Sequence, residues 1–103
     1  MPKYESQALD LLDGGRKVTL KGSGFTGGDV EVYLLDADGR KLYEDTVRSR
    51  AVMINPTETV TLTMAKPETI WNITDGGKYA LVWDVSQMAD LQMNLMPVDT
   101  EGE

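Results

Sequence analysis

The sequence contains no cysteine and no histidine. Without cysteine there is no disulfide, no thiolate nucleophile and no Cys-ligated zinc. Without histidine the commonest general base and the commonest transition-metal ligand are missing. The serines Ser6, Ser23, Ser49 and Ser86 therefore lack the partner of a Ser–His arrangement. Long apolar runs are scarce too. The longest, residues 79–83 (YALVW), has five residues, far short of the roughly 20 that a membrane-spanning helix needs. Residues 1–15 offer no apolar stretch of the secretory kind, so the expectation is a chain that starts in the cytoplasm unless a leader precedes it. Positive charge is scarce in the second half: residues 53–103 carry two Lys and Arg against eight Asp and Glu, residues 1–52 eight against nine, for a net charge of −7. Such a chain repels phosphate backbones and anionic lipid at long range, so neither nucleic acid nor membrane is an expected partner. Its cations crowd between Arg16 and Arg50, either as a mixed solvated surface or as a local patch for an acidic partner.

What is present is alternation. The chain has 103 residues, 41% of them apolar, which suits one globular domain. From Arg16 onward the apolar period is two. Val18 and Leu20, then Val30, Val32 and Leu34, then Val60, Leu62 and Met64, then Tyr79, Leu81, Trp83 and Val85, then Leu91, Met93 and Leu95 each fall on one face of an extended segment. Turn residues separate the runs: GFTGGD, DADG, NPTE, KPE, TDGG and SQM. Seven strands are predicted, at about 16–22, 29–35, 40–47, 50–55, 58–65, 78–85 and 90–96, with residues 70–73 as a short extra strand or a crossing between sheets. Short strands at this spacing suit a two-sheet sandwich or a barrel, and the expectation is an all-β, two-sheet antiparallel sandwich over residues 16–96. Residues 1–15 form a short N-terminal arm in which SQALDLLD, capped by Ser6, suits a single helical turn. Residues 97–103 are an acidic tail. Leu9, Leu11 and Leu12 are too apolar to float: they either plug one end of the sandwich or dock on a neighbouring subunit.

Several stretches invite a chemical reading. Gly22, Gly24 and Gly27 satisfy G-x-G-x-x-G. A phosphate cradle needs a helix to leave such a loop, and here DVEVYLL leaves it as a strand, so the glycines predict a turn. Asp36 and Asp38 match the first and third ligands of a calcium hand, but the fifth position is Arg40 and the twelfth Val47, so that motif fails. A loose site with a distant acid stays open; no cofactor or metal is expected. Asp84, between Trp83 and Val85, is the most interesting carboxylate, and the expectation for it is solvent or an arginine partner. Trp83 lies in phase with its strand's apolar face and is expected in the core. Trp71 is out of that register and is expected exposed, as a contact for sugar or peptide. Asn72, Ile73 and Thr74 fit a glycosylation acceptor, relevant only in a secretory compartment.

VTLKGSGFTGGDVEVYLLDADGRKL, residues 18–42, resembles the opening hairpin of bacterial immunoglobulin-like sandwiches of the IPT/TIG type. TDGGKYALVWDV, residues 74–85, is similar to their late Gly-Lys-Tyr strand and, with the Thr-rich ETVTLTMA before it, to small virion sandwiches of tailed phages. The resemblance covers most of residues 16–96 in rhythm, and its motifs are short. It implies an immunoglobulin-like sandwich of about seven strands that is not an enzyme and that decorates, cements or adheres. The expected partner is a protein in a larger assembly, a capsid or tail protein or further copies of the chain, met through the arm and an edge strand; the expected location is the virion. A carbohydrate- or cell-surface-binding module, extracellular and working through Trp71, is the alternative. Leu9, Leu11, Leu12 and Trp71 are the candidate partner-binding residues. No catalytic residue carries over, because these families share no active site.

Overall fold

The computed structural model describes residues 3–49 and 51–97. Seven strands and one helix follow one another: β1 (Tyr4–Leu11), β2 (Arg16–Phe25), β3 (Val30–Leu35), α1 (Ala37–Val47), β4 (Glu58–Leu62), β5 (Glu68–Ile73), β6 (Gly77–Asp84) and β7 (Met88–Pro97). The strands build two antiparallel sheets, a four-stranded one in the order β1-β6-β3-β4 and a three-stranded one in the order β5-β2-β7. The all-β sandwich is therefore present. No helix among the described residues is long and apolar enough to cross a membrane.

The main core lies between the sheets. Val18 and Leu20 of β2, Val30, Val32 and Leu34 of β3, and Leu81 and Trp83 of β6 all point into it, as their period of two requires. The indole N–H of Trp83 donates to the carbonyl oxygen of Met88 at 2.9 Å, so the ring is buried without an orphaned donor. A second apolar cluster lies on the other face of the four-stranded sheet: Leu35, Ala80 and Val82 beneath Tyr43 of α1, flanked by Val52 and Ile54. Strand β6 is thus buried on both faces. That is why residues 79–83 read as a continuous apolar run rather than a clean alternation.

The strand expected over 40–47 is helix α1. Asp36 has extended backbone and its side chain accepts from the Gly39 N–H at 2.9 Å, so DADG starts a helix instead of closing a hairpin. Gly39 and Tyr43, one turn apart, form the buried stripe. Over the expected strand at 50–55 the described residues form no strand, and Val52 and Ile54 pack beside the helix as a strap. The expected helical turn in SQALDLLD is also replaced: Tyr4–Leu11 is strand β1, paired along its whole length with β6 from Tyr4↔Asp84 to Leu11↔Gly77. Residues 70–73, left between strand and crossing, belong to β5. The tail beyond Pro97 lies outside the described residues.

The glycine stretch is structural. Gly22 is a buried residue inside β2, and a Cβ there would collide with the Met88 Sδ. Gly27 and Gly28, at φ +144 and +69, turn the chain from β2 into β3.

Candidate functional site

Three of the four residues expected to meet a partner face the core. Leu9 and Leu11 are each 1% exposed and Trp71 is 8% exposed, because β1 and β5 direct alternate side chains between the sheets. Their side chains are not available on the folded surface. Leu12, in the loop that follows β1, is 70% exposed and alone of the four presents a surface. Asp36, the first acid of the calcium-like motif, is occupied in capping α1. No group of three or more metal-type side chains stands together among the described residues.

What the fold leaves open is one side of the sandwich. Strand β4 of one sheet meets β5 of the other, so the opposite edges, β1 and β7, lie on the same side. Among the described residues each is paired on one flank only: β1 with β6, β7 with β2. Strand β7 has no charged residue from Leu91 to Pro97, and Leu95 is 45% exposed although it follows the core-facing period of Leu91 and Met93. The Leu12 loop leads into Arg16, which stands opposite Pro97, so Leu12 and the exposed end of β7 share one end of the molecule.

At the other end, two hollows flank Tyr4 on the outer face of the four-stranded sheet. One, of about 540 Å³, lies between β1 and α1 and is lined by Tyr4, Glu5 and Ser6 on the strand and Tyr43, Glu44, Val47 and Arg48 on the helix. The other, of about 250 Å³, is lined by Tyr4, Tyr33, Glu31, Asp29, Asp84 and Gln87. The pairing registers explain the second. Tyr4 stands opposite Asp84, and Tyr33 opposite Val82, so Glu31, two residues before Tyr33, comes level with Asp84. Sequence reasoning did not single out Tyr4, Tyr33 or Tyr43. Tyr33 sits on the polar phase of β3, and the registers of β1, β6 and β3 bring it beside Tyr4 and Asp84 in the wall of the second hollow.

Electrostatics follow from the geometry. Burial pushes Asp84 upward, but the Ser86 hydroxyl (2.6 Å) and the N–H groups of Lys3 and Ser86 (3.0 Å each), all donating to Oδ1, hold it below the usual carboxylate range. Asp84 thus ties the start of β1 to the turn after β6. Its hydrogen-bond partners are two backbone N–H groups and a hydroxyl, where the sequence suggested solvent or an arginine. Tyr33 is raised above the ordinary phenol value, first by burial and then by Glu31 and Tyr4. Tyr43 is raised by burial, against a hydrogen bond with Ser6 that lowers it. At the far end of β1, Arg40 closes the space under the helix: it donates to Asp10 at 2.7 Å and to the Tyr79 carbonyl at 3.2 Å, and Asp10 holds the guanidinium protonated beyond its ordinary range.

Comparison with protein-family models, with curated proteins and with solved structures gives no match.

Proposed function

We propose that the chain is a non-enzymatic structural module that binds another protein surface through its N-terminal strand and an edge strand, as an accessory, decoration or cement component of a phage virion. The observation that carries the reading is the open side of the sandwich. Edge strands present unpaired N–H and C=O groups, and soluble proteins ordinarily blunt them with charge, especially lysine. Strand β7 lacks that protection from Leu91 to Pro97, and Leu95 and Met96 are exposed there. A partner strand or surface would satisfy those groups.

The virion assignment rests on the resemblance of residues 58–65 and 74–85 to small phage sandwiches. An immunoglobulin-like relation has support from two pairings, β2 with β5 and β3 with β6, which correspond to the B–E and C–F pairs of that fold. It departs in the outer strands: β1 lies beside β6 and β7 beside β2, so the first and last strands have exchanged sheets. The alternative, a carbohydrate- or cell-surface-binding module, loses the ring on which it rested, since Trp71 faces the core.

The test is co-sedimentation of the purified chain with phage capsids or tails isolated without it. Saturable binding in wild type, lost when Leu95 and Met96 are both changed to Lys, is the expected result. A folded chain that stays in the supernatant with every particle overturns the virion reading. Deleting residues 1–13 is not a usable test, because it removes Leu9 and Leu11 from the core.

A further inference from the structure

We propose that the free edge of β1, with the two hollows beside Tyr4, takes an extended, lysine- or arginine-bearing segment of a partner protein as an added strand; this rests on the assembly reading above and names the partner's chemistry.

The backbone geometry comes first. The Val85 N–H donates to the Lys3 carbonyl at 2.8 Å, which makes Lys3 and Val85 a hydrogen-bonded pair. In an antiparallel ladder such pairs alternate with non-bonded ones. Glu5, Gln7 and Leu9 therefore direct their backbone groups to β6, and Tyr4, Ser6, Ala8 and Asp10 direct theirs to the open edge. Main-chain pairing on an exposed edge supplies affinity, and pockets for alternate side chains supply selectivity. Both are present. An added strand would send every second side chain into the cleft between β1 and α1, onto Tyr43 and Val47. Arg40, bridging Asp10 and the Tyr79 carbonyl, closes the cleft at its far end, so it opens toward Tyr4.

Charge then selects the occupant. The two hollows present Glu5, Glu44, Asp29, Glu31 and Asp84, opposed by Arg48, by Lys3 at the start of the strand and by Arg40, which donates to Glu44 at 3.4 Å. The rings of Tyr4 and Tyr33 beside these carboxylates favour a cationic side chain, which gains from the ring faces as well as from the charge. A second copy is a poor occupant. The chain's own edge strands, YESQALDL, ETVTL, ETIWNI and MADLQMNLMP, contain no Lys or Arg, so pairing any of them with β1 brings acid toward acid. The complementary segment must come from a different protein.

The experiment uses the full chain labelled with nitrogen-15. The probes are an acetylated, amidated nonapeptide alternating lysine with valine, the same peptide with glutamate for lysine, and the lysine peptide methylated at every second backbone nitrogen. The expected result is movement of the Tyr4, Ser6 and Ala8 amides with the lysine peptide. Affinity should be about tenfold weaker or more for the other two peptides, and weaker at high salt. Glu31→Gln with Glu44→Gln, both exposed, should weaken binding about threefold or more, with Glu31→Gln alone, which leaves the Arg40–Glu44 contact in place, weakening it in the same direction. Ala8→Pro, which removes an outward N–H and no bond to β6, should abolish binding in a protein whose spectrum remains folded. Equal binding of the glutamate peptide, responses confined to β7 or β4, or no response at millimolar lysine peptide overturns the proposal. A chain that joins particles yet ignores the lysine peptide retains the assembly reading and loses this one.

Discussion

Leu9→Ala tests whether the N-terminal segment is a strand of the fold or a detachable arm. Leu9 is 1% exposed and belongs to the same apolar cluster as Trp71 and Trp83. Truncating a buried leucine costs about 2–5 kcal/mol, through lost transfer energy and the cavity left behind. An edge strand can relax inward more readily than a central one, so the lower half of that range applies, about 2–3.5 kcal/mol. A domain of this size holds only about 5–15 kcal/mol in total. With a urea slope of about 1–3 kcal/mol per molar, the midpoint should fall by roughly 0.7–3.5 M. Both tryptophans are buried, so the shift of their emission on exposure to water follows the transition. Leu12→Ala is the control: the side chain is 70% exposed, and the cost should stay within about 0.5 kcal/mol. If the two variants unfold at the same urea concentration, β1 is not part of the cooperative core, and the placement of Leu9 in the main apolar cluster is refuted.

Asp36→Ala should cost about 1 kcal/mol by removing the cap on the Gly39 N–H, with faster amide exchange in the first turn of α1; unchanged exchange there would contradict the cap. Gly15→Ala should cost more than about 2 kcal/mol, because the new methyl meets the backbone oxygens of Ile73 and Thr74. Gly27→Ala, at φ +144 with open space around it, should cost only about 1 kcal/mol in urea titrations, and the reverse order of the two would refute the packing at the β1–β2 loop. Asp84 binds its proton less readily folded than unfolded, so its contribution is complete above the ordinary carboxylate value of about 3.9 and is lost as pH falls through the lower folded value. Acid titration by NMR should therefore move the Lys3 and Ser86 amides together below the usual aspartate range, and Asp84→Asn should flatten that movement. Amides that titrate at the unperturbed value would show that the two N–H donors do not hold the carboxylate.

The sequence by itself determined that the chain is a sandwich of short antiparallel strands. A period of two in β2, β3, β4, β6 and β7 states which side chains share a face, and burial of one face follows from the hydrophobic effect alone. The turn at Gly27 and Gly28 was legible for the same local reason, whereas Gly22 and Gly24, expected in that turn, lie inside β2. Residues 40–47 were not: a short stretch with scattered apolar residues fits either period, and the decisive signals were an aspartate cap before it and a distant apolar run, residues 79–83, that needed cover on both faces. Strand β1 was masked because Leu12 interrupts the alternation of Leu9 and Leu11. The candidate site was illegible. Tyr4, Asp84 and Glu31 come level only because β6 lies between β1 and β3, and the same strand order brings Tyr33 into the pocket wall. Alternation tells a strand which way its side chains point, but the choice of neighbour is made by contacts between residues up to eighty positions apart, such as Tyr4 with Asp84. Which edges remain open, and what stands beside them, is therefore a property of the tertiary structure.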